Sequence, residues 1–204
     1  MADLFVLNGK NSLDSTDVYQ LQQRIAAYDD EGSYKKLFFN FFLPLKSFSF
    51  SIIKSKETAE EIVSDIFLYI WIKRKELCAI KDLKMYLYTS VRNNSLRRLH
   101  QNKKATIFSL DELHVEFESP DENAEASLLT HELSFKIQAA IEQLPHRCRI
   151  IFKLAKEDKL KYQEIAVLLN VSIKTIDNQI ATAIKKIATV LKLPIKKISS
   201  RSGH

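Results

Sequence analysis

The sequence predicts an all-α protein of two small helical domains joined by an acidic flexible linker. Three observations predict it. Three glycines and four prolines in 204 residues are too few for the tight turns of a sheet-rich fold. Apolar residues recur at spacings of three and four in successive segments, the period of a helix with one buried face. Residues 105–132 hold eight acidic side chains and no basic one, the composition of a solvated connector. A hydrophobic content of 46% is enough for real cores, and the absence of an internal repeat argues against a solenoid.

In chain order, residues 1–25 show no clear period and read as a weakly ordered lead-in. From Ser33 to Ile53 the chain is dense in phenylalanine, with Phe38, Phe39, Phe41, Phe42, Phe48 and Phe50. Asn40, Pro44 and Lys46 interrupt this run, already shorter than a bilayer requires, so a core helix is expected rather than a membrane span. Leu37, Phe41 and Leu45 make its buried row, and Pro44 is expected to kink or divide it. The next helix opens with Glu57, Glu60 and Glu61, where acids complement the helix dipole. Ala59, Ile62, Val63, Ile66 and Ile70 make its apolar face and leave Glu60, Glu61, Ser64 and Asp65 outside it. Those acids fit a solvated face or a docking surface for a basic partner equally well.

Lys73, Arg74 and Lys75 precede an expected loop, Cys78 to Lys84, and a helix bearing Tyr86, Tyr88, Arg92, Asn93, Arg97 and Arg98. Aromatics interleaved with bases suit single-stranded nucleic acid, because rings stack bases while cations follow phosphates. Tyrosines at helical spacing suit a core as well. Beyond the linker, apolar periodicity returns over Leu128 to Leu144 and is closed by Pro145, and Arg147 to Leu154 makes a further short helix. The segment Leu160 to Leu191 then reads as two helices and a tight turn, a helix-turn-helix. Ile165, Ala166 and Leu169 are the expected buried face of its first helix; Ile176, Ile180, Ile184 and Ile187 are that of the second. Asn170 is suited to the left-handed conformation that ends a helix, and Ser172 to accepting the amide of Thr175 as an N-cap. Lys174, Thr175, Asn178 and Gln179 then face solvent at the start of the second helix. They can offer donors and acceptors to base edges in a major groove, with Lys185 and Lys186 for phosphates. Residues 194–204 form a basic tail.

Charge follows the same partition. Residues 1–104 carry +5, residues 105–132 carry −8 and residues 133–204 carry +9, which gives the net +6. A basic segment with a helix-turn-helix is the electrostatic footprint of a nucleic-acid binder. Cys78 and Cys148 are far apart in a chain with no recognisable signal peptide, so free thiols in a reducing cytoplasm are expected. The five histidines, His100, His114, His131, His146 and His204, are scattered. No metal centre, cofactor or catalytic residue is expected, and a metal-dependent nuclease lacks its ligand cluster.

In order and motif the chain resembles a bacterial RNA polymerase sigma factor of the sigma-70 family, extracytoplasmic-function (ECF) type. AEEIVSDIFLYIW at Ala59 to Trp71 is similar to the acidic helix of that family's region 2, and YLYTSVRNNSLRRL at Tyr86 to Leu99 to its promoter-melting helix. IEQLPHRCRIIFKL at Ile141 to Leu154, followed by QEIAVLLNVSIKTIDNQI at Gln163 to Ile180, is similar to region 4. The resemblance covers about four fifths of the chain and implies a region 2-like domain at 26–104, a linker at 105–127 and a region 4-like domain at 128–193. It also implies roles. Glu60, Glu61 and Asp65, with Ser64 and Leu68 beside them, would dock on the polymerase clamp helices. Ile80, Lys81, Asp82, Lys84, Tyr86, Tyr88, Arg92 and Asn93 would hold the melted −10 element, and Ser172, Lys174, Thr175 and Asn178 would read the −35 element.

The implied partners are core polymerase, through its clamp helices and flap, promoter DNA, and an anti-sigma factor that is often membrane-bound. Neither a small-molecule substrate nor membrane insertion is implied. The chain departs from the family pattern at Arg97, where an acid is frequent, at Lys161, where a small or hydroxyl residue is common, and at Asn170, where the turn usually has glycine. A rival reading keeps the C-terminal reader and makes the first domain sensory. Such an activator would be a dimer on a palindromic site, whereas a sigma factor should bind promoter DNA poorly without polymerase.

Overall fold

A computed structural model describes residues 13–102 and 128–192, all of them in helices or the turns between them. The chain divides into two compact units, Met1–Ser109 and Leu110–His204. The linker expected at 105–127 and the tail at 194–204 lie outside the described residues, as do residues 1–12.

The first unit begins with a helix that periodicity did not reveal. Ser15–Tyr28 (α1) starts at Asp14, whose carboxylate accepts the amide of Asp17 at 2.8 Å, while the Asp17 carboxylate accepts the amide of Asp14 at 3.2 Å. This reciprocal cap satisfies two of the amides a helix start leaves unbonded. Val18, Gln22, Ile25 and Ala26 are its buried face. The lead-in expected over 1–25 is therefore a packed helix from Ser15 on. Its buried face includes a glutamine and its surface is polar, so the apolar period is too weak to read.

Glu31–Ile53 (α2) follows after Asp30, which caps it by accepting the amides of Gly32 and Ser33. The helix continues through Pro44 unbroken, so the expected division does not occur. Proline removes the amide that would have bonded the Asn40 carbonyl, and burial of Leu37, Phe41, Leu45 and Phe48 offsets that loss. Among the described helices α2 is the one whose length and composition would let it cross a membrane, but its apolar row is buried against its neighbours.

Lys56–Ile72 (α3) is capped by Ser55, and a 3-10 helix, Arg74–Ala79 (η1), takes up part of the segment expected as loop. Leu83–Asn102 (α4) then begins where Asp82 accepts the amide of Met85 at 2.9 Å. Helices α2, α3 and α4 pack on one another around Leu45, Val63, Phe67, Ile70, Leu87 and Val91. At the α2–α4 contact the buried hydroxyls of Ser49 and Ser95 bond at 2.8 Å, which lets the two backbones approach without an unsatisfied polar atom.

The second unit contains Leu128–Glu142 (α5), His146–Lys156 (α6), Tyr162–Leu169 (α7) and Ile173–Val190 (α8). Pro145 supplies the turn between the first two. Arg149, only 7% exposed, pairs with Glu142 at 2.6 Å and donates to the Leu144 carbonyl at 3.1 Å, and Lys153 reaches the same carboxylate at 3.3 Å. This buried pair pins the α5–α6 elbow. The amphipathic face of α8 then covers α5, α6 and α7.

Candidate nucleic-acid interface

The helix-turn-helix is built from local chemistry. Asn170 adopts φ 54° and ψ 52° at the end of α7, and the amide of Val171 returns to the Ala166 carbonyl at 3.0 Å. These bonds occupy carbonyls the helix end would leave open. Ser172 Oγ accepts the Thr175 amide at 3.0 Å, as the sequence predicts, and also exchanges a hydrogen bond with Thr175 Oγ1 at 2.8 Å. Ile165 and Ala166 are buried as expected, but Leu168 takes the place expected for Leu169. In α8 the buried row is Ile176, Ile180, Ala183 and Ile187, and Ile184 is only half-buried. The two rows have the same mean spacing, but at about 100° per residue Ala183 stays nearer than Ile184 to the line of Ile176, Ile180 and Ile187, so an alanine takes the core position instead of the larger Ile184.

The opposite face of α8 leaves Ser172, Lys174, Asn178 and Lys185 exposed and Thr175 and Gln179 half-buried. Six sequence-predicted residues thus share one element, but they are not equivalent. The hydroxyls of Ser172 and Thr175 are engaged with each other and with the cap, and beneath the helix the main-chain carbonyl of Gln179 accepts the thiol of buried Cys148 at 3.2 Å. Burial pushes that thiol above its ordinary pKa, which keeps it protonated as a donor.

In the first unit the residues assigned to melted DNA fall into three groups. Ile80 and Tyr86 line a cleft of about 230 Å³ together with Tyr69, Ile70 and Leu77. Lys81, Asp82 and Asn93 are exposed, and Lys84 and Arg92 half-buried. Tyr88 is the exception: it is 1% exposed and packs against Phe48 with ring centroids 5.5 Å apart. A ring enclosed in the α2–α4 core has no free face for a base, so the expected contact by Tyr88 is corrected to a core role. Two neighbours fix this region although no sequence motif marks them. Buried Gln22 on α1 donates its amide to the Leu77 carbonyl and to the Ile80 carbonyl, the latter at 2.7 Å, and the Cys78 thiol donates to Gln23 Oε1 at 3.2 Å. The thiols of Cys78 and Cys148 are both free.

On α3, Glu60, Glu61, Ser64, Asp65 and Leu68 are all exposed. Leu68 (57%) and Ile72 (62%) continue the acidic stripe as an apolar edge. Glu60 pairs with Lys46 at 2.6 Å and Glu61 with Arg98 at 2.8 Å. Such exposed pairs are worth about 0–1 kcal/mol and exchange readily for a partner's charges. Among the described residues no group of three or more His, Cys, Asp or Glu could hold a metal ion.

The family model for sigma-70, region 4, matches residues 134–187, which run from α5 to the last turn of α8. The match is confined to this stretch of the second unit. No curated protein matches the chain by sequence. Among solved structures, the chain is similar in fold to the sigma factor RpoE of Bartonella quintana, solved in complex with the anti-sigma factor NepR. The TM-score is 0.52 at 20% identity, covering 79% of this chain and 98% of that one. CnrH, solved in complex with the cytosolic domain of CnrY, aligns at a TM-score of 0.48 and 16% identity over 86% of this chain and 97% of that one.

In the stretch that matches the region 4 model the turn and the second helix are the parts the sequence marked most clearly, because each of their determinants lies within four residues of its partner. The Glu142–Arg149 pair went unmarked. Charged residues at that spacing are common on solvated faces, and only the fold brings these two under cover.

Proposed function

We propose that this protein is a promoter-specificity subunit of bacterial RNA polymerase, a sigma factor of the ECF type. It docks on core polymerase and directs initiation by reading a −35 duplex with the second unit and a melted −10 strand with the first. It is not itself an enzyme: polymerase supplies catalysis, and the protein works in the cytoplasm where polymerase is. The observation that carries the reading is the sigma-70 region 4 domain, with the side chains of Lys174 and Asn178 exposed at the start of α8. A helix start offering lysine and asparagine suits guanine and adenine edges in a major groove.

The stripe of Glu60, Glu61, Ser64, Asp65 and Leu68 is the polymerase-docking face, acidic for a basic helical partner and apolar at its edge. The cleft at Ile80 and Tyr86, flanked by Lys81, Lys84, Arg92 and Asn93, takes unpaired bases, with the aromatic ring stacking and the cations following phosphate. Two modules on one chain gain through effective concentration, so neither needs tight affinity alone. An anti-sigma factor is the expected regulator, in keeping with the partner in the RpoE complex.

Run-off transcription with core polymerase tests this reading. The full-length chain should confer start-site-specific transcripts that fall when the −35 sequence is scrambled. Tight stoichiometric binding of a dimer to free palindromic DNA, with no effect on polymerase, would favour the dimeric activator instead.

A further inference from the structure

The exposed face at the start of α8 contains a carboxylate. Asp177 lies beside Lys174 at i+3 and Asn178 at i+1, and all three side chains are exposed. With Ser172 and Thr175 engaged with each other and Gln179 half-buried, the fully exposed polar side chains left uncommitted at this end of the helix are Lys174, Asp177 and Asn178. Among the described residues Asp177 has no hydrogen bond or ion pair. It is also the fifth residue of α8, beyond the first turn to which a favourable interaction with the helix dipole is largely confined. A carboxylate there gains little from the fold, and near phosphates it is repelled.

Its surroundings point it to the side on which α7 begins. After burial, the Asp177 charge is the second cause that raises the Tyr162 hydroxyl above its ordinary pKa, so the acid lies near the first residue of α7 as well as on α8. In a helix-turn-helix the start of the second helix enters the major groove while the first crosses the backbone. Side chains three or four apart on a helix are about 5–6 Å from each other, or one to two base pairs at about 3.4 Å per step. Lys174, Asp177 and Asn178 can therefore address neighbouring base pairs.

We propose that Asp177 is a specificity-determining residue that reads a cytosine within the −35 element by accepting a hydrogen bond from its N4 amino group. This rests on the −35 reading of the second unit. A carboxylate only accepts hydrogen bonds, and in the major groove cytosine presents only a donor, whereas guanine presents two acceptors that would repel it. The acid thus selects both by attraction to cytosine and by repulsion from guanine, which a neutral side chain cannot do. Beside it, Lys174 suits guanine and Asn178 suits adenine.

The test uses full-length protein with core polymerase on a promoter library randomised across the −35 element, comparing the wild type with Asp177→Asn and Asp177→Ala. Asp177 is exposed and asparagine is nearly isosteric, so a matched thermal unfolding profile checks that the fold is intact. The wild type is expected to prefer cytosine at one position by roughly tenfold, the size of one good base contact. Asp177→Ala should lose that preference at that position alone, and Asp177→Asn should shift it towards adenine, because an amide donates and accepts. If both variants keep the wild-type preference at every position and bind all sequences more tightly, Asp177 is only a repulsive charge and the proposal is overturned while the −35 reading stands. If no library position affects the wild type, the −35 reading itself fails and takes the proposal with it.

Discussion

At the scale of single residues, Tyr86 and Tyr88 separate a surface role from a core role although they are two positions apart on one helix. Tyr88→Ala should destabilise the first unit by about 3–5 kcal/mol, the cost of emptying a large core site, and a lowered denaturation midpoint measures it. Tyr86→Ala should leave that midpoint nearly unchanged and slow promoter opening, measured by permanganate reactivity of unpaired thymines. In the second unit, Lys174→Ala and Asn178→Ala should each weaken binding to a promoter dependent on its −35 element by about 1–3 kcal/mol, as read by competition assays with reconstituted holoenzyme. Affinity unchanged in both would remove these residues from the interface. The caps at Ser172 and Asn170 were legible because a cap depends on residues within one turn. Whether a tyrosine faces solvent was not legible, since a tyrosine fits both a stacking surface and a core, and only the packing of α4 on α2 decides between them.

At the scale of elements, α1 braces the turn that carries Ile80. Gln22 holds the Leu77 carbonyl of η1 and the carbonyl of its cap residue Ile80, and Gln22→Met keeps the volume while removing the amide that donates to both. The Leu77 carbonyl keeps the Ile80 amide at 2.9 Å, but the Ile80 carbonyl loses its donor, and a covered carbonyl left without a partner costs about 1–3 kcal/mol. The variant should therefore unfold at lower temperature, and its holoenzyme should capture −10 single strand less well while still assembling on polymerase. Retained strand capture alongside the lowered unfolding temperature would limit Gln22 to stability. The elbow between α5 and α6 is braced differently. Glu142→Ala leaves the Arg149 guanidinium under cover without its carboxylate, and should cost about 3 kcal/mol in denaturant unfolding of the second unit. Helices α2, α3 and α8 were legible as elements because their apolar rows are long and regular. α1 was not, because a short helix held by reciprocal aspartates and a buried glutamine presents little apolar period, and its stability comes from residues more than fifty positions away.

At the scale of the whole molecule, the chain divides into two units between Ser109 and Leu110, within the acidic segment 105–132. Composition alone marks that segment and the basic one after it, because a stretch without basic residues and a basic stretch with a helix-turn-helix are visible without any structure. The docking role proposed for α3 was not legible from its pattern, since an acidic outer face is what a solvated helix also has. The apolar edge at Leu68 and Ile72, exposed in the folded unit, is what favours the proposal. Reversal of charge at Glu61 and Asp65 to lysine should therefore weaken association with core polymerase without changing helix content, checked by co-purification alongside circular dichroism.

The most direct measurement is association of the purified full-length chain with core RNA polymerase at low salt, followed by size exclusion. A stoichiometric co-eluting complex that initiates from specific start sites is expected. Elution of the two apart at low salt, with no transcript above that of core polymerase alone, would contradict a polymerase subunit of any kind.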